Sequence, residues 1–183
     1  WAGDRCAYCG ASKKSYARDG TRETHAYLFT HAHNLKARLA AMFGAEVHFD
    51  VIIGNPPYQL SDGGHSASAA PIYHQFIEQA KALEPRNLVM VTPARWYSGG
   101  KGLDDFRRAM LADDRLRVLH DYPSSGDVFP GTEIKGGVSY FLWNRDEHGD
   151  TRVVTHLADG RESTAVRPLL EPGSDVFIRY NEA

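Results

Sequence analysis

The sequence predicts an α/β fold with a mostly parallel sheet and an antiparallel hairpin at its edge. Three observations predict it. Residues 49–53 (FDVII) and 87–92 (NLVMVT) are short runs rich in β-branched residues, of the kind buried inside sheets. Between them, Ile72, Phe76, Ala80 and Leu83 recur at helical spacing. A strand, a helical crossover and a second strand form a βαβ unit, which makes the two strands parallel. Residues 116–121 and 137–144 (GVSYFLWN) then read as strands with only a short glycine-rich stretch between them, so they pair antiparallel at the sheet edge.

The elements follow in order. Residues 1–24 are polar, with Gly, Ser, Lys and Arg throughout, and read as irregular structure with a knuckle around Cys6 and Cys9. Residues 34–43 carry Leu35, Leu39 and Met42 at helical spacing, and Gly44 stops the helix. Residues 61–70 (SDGGHSASAA) are too small and polar to pack a core, and read either as a lid over substrate or as a solvated connector. Pro71 opens the next helix and Pro85 ends it. A third helix spans about 103–112, with Leu103, Phe106 and Met110 inward. Residues 151–157 and 175–180 alternate apolar and polar like exposed strands. The expected organisation is an N-terminal segment (1–48), a catalytic half-domain (49–145) and the start of a following region (146–183).

Composition narrows the class. A chain of 183 residues is long enough for one domain with a sizeable core. No apolar run is long enough to span a membrane, and no signal peptide is present, so a cytoplasmic protein with no membrane partner is expected. The chain opens at Trp1 without an initiator Met and closes without a cap, so it reads as a segment of a longer protein. The net charge is −2, whereas a stand-alone DNA binder usually carries a basic excess. Phosphate contacts are then either few and local or carried elsewhere. Cys6 and Cys9 form half of a tetrahedral zinc site by spacing. The site is completed by His31 and His33, or by an upstream cysteine pair, or no metal is bound. A redox pair is disfavoured, since no strand precedes these cysteines.

The chemistry concentrates at Asn55-Pro56-Pro57-Tyr58, directly after the strand ended by Gly54. Two prolines fix φ and remove two backbone donors, which frees the carbonyls of a rigid turn as acceptors. The Asn55 side chain adds an acceptor and Tyr58 a flat face. Acceptors converging on an amino group beside an aromatic plate suit chemistry on a flipped-out base, and ligands bind at the carboxyl ends of strands in open α/β sheets. Asp50 reads as structural. Trp96 and Tyr97, just past the second strand, either wall the site or pack the core. Arg95 and Lys101 flank them as candidate phosphate contacts.

The stretch DVIIGNPPYQ resembles the catalytic motif of N(6)-adenine-specific DNA methyltransferases of restriction–modification systems. The similarity continues through PIYHQFIEQA, LVMVTPARWYSGGKGLDDFR, LHDYPSSGDVFPGTEIKGGVSYFLW and RPLLEPGSDVFIRYNEA. The resemblance implies a partial Rossmann-like methyltransferase fold that uses S-adenosyl-L-methionine (AdoMet). It also implies double-stranded DNA as substrate, a cognate restriction endonuclease domain or subunit as partner, and a bacterial or archaeal source. It assigns Asn55, Pro56, Pro57 and Tyr58 to catalysis. Phe129, in the loop between the third and fourth strands, would contact the adenine; the other reading is a loop anchor. No glycine-rich cofactor loop precedes the motif, so the main AdoMet contacts lie outside this segment, which is expected to be inactive alone. Two other functions share some of these features. One is N(5)-glutamine methylation of a protein, disfavoured by the long stretch after Asn144. The other is an inert DNA-binding or assembly module, disfavoured by the intact motif.

Overall fold

The computed structural model describes residues 2–5, 13, 33–59 and 70–181. The chain divides into two compact units, residues 1–49 with 57–84 and residues 50–56 with 85–183.

In the first unit, helix α1 spans Leu35–Phe43. The Asn34 side chain accepts from the Ala37 amide at 3.0 Å, and Gly44 ends the helix at φ 71°. The left-handed C-cap is the stop that the sequence predicts at Gly44; Asn34, read as the first helical residue, is instead the side-chain N-cap. Of the three spaced apolar residues Leu35 is fully buried, Leu39 is partly buried and Met42 is exposed. Helix α2 spans Tyr73–Ala82 and buries Tyr73, Phe76, Ile77 and Ala80. Pro71 does not open it. That proline forms an isolated bridge with Gln59, and the Ile72 amide donates to the Tyr58 carbonyl (3.2 Å), so helical bonding starts two residues later. Lys36 pairs with Glu84.

The second unit is a six-stranded sheet. Its strands are β1 (Val51–Gly54), β2 (Asn87–Pro93), β3 (Leu116–Tyr122), β4 (Val138–Asn144), β5 (Thr151–His156) and β6 (Glu162–Arg167). Their spatial order is β1-β2-β4-β3-β5-β6. β1 pairs with β2 in parallel, as the crossover requires, and β4 runs antiparallel to both β2 and β3. The α/β class holds, but two details of the expectation do not. The sheet is mixed, with parallel pairing only for β1–β2 and β3–β5. The β3–β4 hairpin is interior, because β4 inserts beside β2 and β5 adds in parallel to β3; the edge hairpin is β5–β6.

One face of the sheet is the core. Leu88, Met90, Leu119, Phe141, Trp143 and Val153 are all buried there by the two-residue alternation of their strands. Helix α3 (Asp104–Ala112) turns Phe106, Met110 and Leu111 inward, and Phe106 meets Trp96 edge-on at 6.1 Å. The opposite face is half-exposed and carries a stack of Tyr140 on His120 and Tyr122 on His156. β1 is not the buried central strand its composition predicts. It is the edge of the described sheet, with Val51 54% and Ile53 74% exposed. β5, expected to be exposed, is largely buried by its two neighbours. Residues 175–180 form no strand; Phe177 is buried and packs on Tyr97 at 4.6 Å. Alternation without a partner strand is satisfied here by side-chain docking. No described helix is long and apolar enough to cross a membrane.

Candidate active site at the carboxyl edge of the sheet

Strands β1, β2, β3 and β5 run in one direction, so their carboxyl ends share one edge. Asn55 and Pro56 after β1, Arg95 after β2 and Phe129 after β3 follow those ends. At the end of β1, Gly54 lies so close to β2 that a β-carbon would stand 3.0 Å from Met90 Sδ. Asn55 follows, exposed, and then Pro56, buried. The boundary between the units falls here, so Pro57 and Tyr58 belong to the first unit. Tyr58 is half-buried, and burial raises the pKa of its phenol above the ordinary value. Asp50 is exposed, and its carbonyl accepts from the Asn87 amide at 2.9 Å, which sets the register of β1 on β2.

β2 ends in a 3₁₀ turn, Ala94–Tyr97. Trp96 is fully buried and Tyr97 nearly so, which decides for core packing over a wall of the site. Arg95 is half-buried, and its Nε is buried without a hydrogen-bond partner among the described residues. A desolvated guanidinium nitrogen with no acceptor is costly. Lys101 stands apart on the exposed turn before α3.

The loop after β3 carries Phe129, which is half-buried. It closes back over the end of β2: the Ala94 amide donates to the Gly137 carbonyl at 3.0 Å, and Gly136 lies against the Arg95 backbone. Ser125 organises its interior. The Ser125 hydroxyl donates to the Thr132 carbonyl (2.9 Å) and accepts from the Ile134 amide (2.8 Å). The Phe129 amide donates to the Ser125 carbonyl at 2.8 Å. The two arms enclose an open hollow of about 530 Å³ lined by Pro123, Ser124, Thr132, Glu133 and Lys135.

Under this loop lies a polar group that sequence reasoning missed. Asp121, one residue from the end of β3, is fully buried, and Arg179 Nε approaches its Oδ2 at 2.7 Å. Arg179 Nη2 also reaches Asp121 Oδ1 (3.0 Å) and donates to the Gly136 carbonyl (2.6 Å). Burial pushes the Asp121 carboxyl up to about 6, against the lowering by Arg179. Burial also drives the neighbouring Tyr97 phenol well above its usual range, helped by Asp121. A lone strand-end aspartate and an arginine near the far end of the chain carry no spacing signal that would join them.

Cys6, Cys9, His25 and His31 lie outside the described residues. Among the described residues no group of three or more metal-ligating side chains converges.

The model of the Eco57I restriction-modification methylase family matches residues 4–129, a stretch that contains Asn55–Tyr58 and ends on Phe129. The chain belongs to this methylase family. It is 35% identical over 167 residues to an uncharacterized adenine-specific methylase of Mycoplasma pneumoniae, covering 88% of this chain and 39% of that one. It is 32% identical over 139 residues to the type II methyltransferase M.TthHB8I of Thermus thermophilus, covering 56% of this chain and 30% of that one. The chain therefore spans well under half the length of these curated relatives. A solved methyltransferase subunit of a type I restriction-modification system from Streptococcus thermophilus covers 74% of this chain and 30% of its own, at 16% identity and a TM-score of 0.44.

Proposed function

We propose that the protein containing this segment transfers the methyl group of AdoMet to the exocyclic N6 of an adenine flipped out of double-stranded DNA, as the modification arm of a restriction–modification system. The observation that carries the reading is the position of Asn55 and Pro56. They stand at the carboxyl end of β1, on the sheet edge where the Phe129 loop closes over the end of β2. Membership of the methylase family and the adenine-specific name of one relative support it.

The chemistry follows from the residues. The lone pair of the adenine amino nitrogen is delocalised into the ring. Acceptors on its two N–H groups, the Asn55 side-chain oxygen and the Pro56 carbonyl, favour a pyramidal and more nucleophilic nitrogen. Tyr58 stacks on the base and orients it. Its phenol, held protonated by burial, suits a plate rather than a base. Phe129 contributes a second aromatic surface, and Arg95 offers the unpartnered cation for a DNA phosphate. AdoMet would supply an electrophilic methyl on sulfur, and Gly54–Pro56, at the end of β1, are the residues that would stand at the methyl end of that cofactor. Among the described residues, no glycine-rich turn after a strand precedes β1 to hold its amino-acid end. A cognate endonuclease as partner and a cytoplasmic setting in a bacterium or archaeon belong to the same reading.

Asn55→Ala in the full-length protein tests it. Losing one preorganised polar contact to the reacting group costs roughly 10²–10³ in rate. Single-turnover methylation should fall by that factor with DNA binding unchanged; near-normal methylation would overturn the assignment.

A further inference from the structure

We infer that Arg179 and Asp121 are positioning residues for the base-contacting loop, with the arginine tying the loop's closing arm to the end of β3. The inference rests on the role proposed above for Phe129.

Three relationships carry it. First, Arg179 joins elements that local structure leaves separate. It meets Asp121 on β3 through two nitrogen–oxygen approaches, donates to Gly136 at the loop's end, and lies over the Tyr97 ring at 5.3 Å. Its own carbonyl accepts from Thr155 Oγ1 on β5 at 2.9 Å, which fixes the segment that delivers it. Second, a polar path runs from this anchor to Phe129. The arm held at Gly136 contains Ile134, whose amide donates to Ser125 Oγ; the Ser125 carbonyl accepts from the Phe129 amide. Third, the pair is a poor device for stability. Desolvating a carboxylate and a guanidinium offsets most of their attraction, and well-packed apolar residues do as well or better. An arginine that donates from one nitrogen to both Asp121 and the Gly136 carbonyl does supply direction, which an apolar contact does not.

The experiment uses the full-length protein and a duplex with 2-aminopurine in place of its target adenine, the site being located beforehand by mapping methylated adenines. Base flipping is read as 2-aminopurine fluorescence beside single-turnover methylation and DNA affinity, for Phe129→Ala, Arg179→Ala, Arg179→Lys and the double variant Phe129→Ala with Arg179→Ala. Loss of base stacking on Phe129 is worth roughly 10- to 100-fold in the flipped population. Arg179→Ala should lose a comparable factor with DNA affinity held, and Arg179→Lys should recover part of it. The double variant should be no worse than Phe129→Ala, because both act through one aromatic contact. Additive losses, or full flipping in Arg179→Ala, would overturn the inference. If Arg179→Ala fails to fold, the same cycle with Arg179→Lys decides it. Absence of adenine methylation by the wild-type protein, or full flipping in Phe129→Ala, would instead overturn the functional reading on which it rests.

Discussion

Gly137 lies against the end of β3: a β-carbon at this position would stand 2.2 Å from the Tyr122 carbonyl oxygen. Its φ of 85° is in the region that side-chain-bearing residues rarely adopt. The loop carrying Phe129 starts and ends at this contact, so glycine is required for both space and backbone. Gly137→Ala should destabilise the fold by more than the roughly 1 kcal/mol of an ordinary glycine replacement with φ > 0, since a backbone atom must also move. Chemical denaturation would show this as a lower midpoint at unchanged slope; an unchanged midpoint would mean that the loop closes differently.

Tyr58 should act through its ring. Tyr58→Phe keeps the plate and should retain methylation in the full-length protein. Tyr58→Ala should weaken flipped-base binding by roughly 1–3 kcal/mol. Equal damage from both substitutions would assign the work to the hydroxyl and remove the stacking role.

Asp121 makes stability depend on pH. Its ordinary carboxyl value is about 3.9, and burial lifts it to about 6 in the fold, where it faces Arg179 and Tyr97. The folded state therefore holds this proton more tightly than the unfolded chain does. The associated stabilisation is fully present below about pH 4 and is lost as pH rises through about 6, to a total of roughly 3 kcal/mol. Asp121→Asn cannot titrate. The wild-type advantage over Asp121→Asn should shrink between pH 4 and 7 in denaturation curves; a flat difference would show that the carboxyl keeps an ordinary value.

Asp113 holds the indole of Trp143, accepting from Nε1 at 2.9 Å while Arg115 pairs with the same carboxylate. Trp143 is buried on the core face of β4. Asp113→Ala would leave a buried donor unpaired and should cost about 1–3 kcal/mol. Trp143→Phe in that background should then cost less than in the wild type. Additive costs would rule out the contact as their common cause.

The sequence by itself determined what depends on near neighbours. Gly44 stops α1 because a C-cap needs only residues within a turn of the helix end. The parallel pairing of β1 with β2 follows from the length of the crossover, and the antiparallel pairing of β3 with β4 from the lack of a helix between them. The stop at Gly54 put Asn55 at a carboxyl strand end, where the structure has it. Tertiary structure decided what depends on residues far apart in the chain. Period-two alternation says which face a side chain takes, but not which strand lies alongside. It could not insert β4 between β2 and β3, leave Val51 and Ile53 exposed on an edge, or add β5 to the same sheet. Nor could it bring Arg179 onto Asp121, 58 positions away. A pair that distant is brought together by the pairing of the strands between, so its partners are chosen by sheet order rather than by any local pattern.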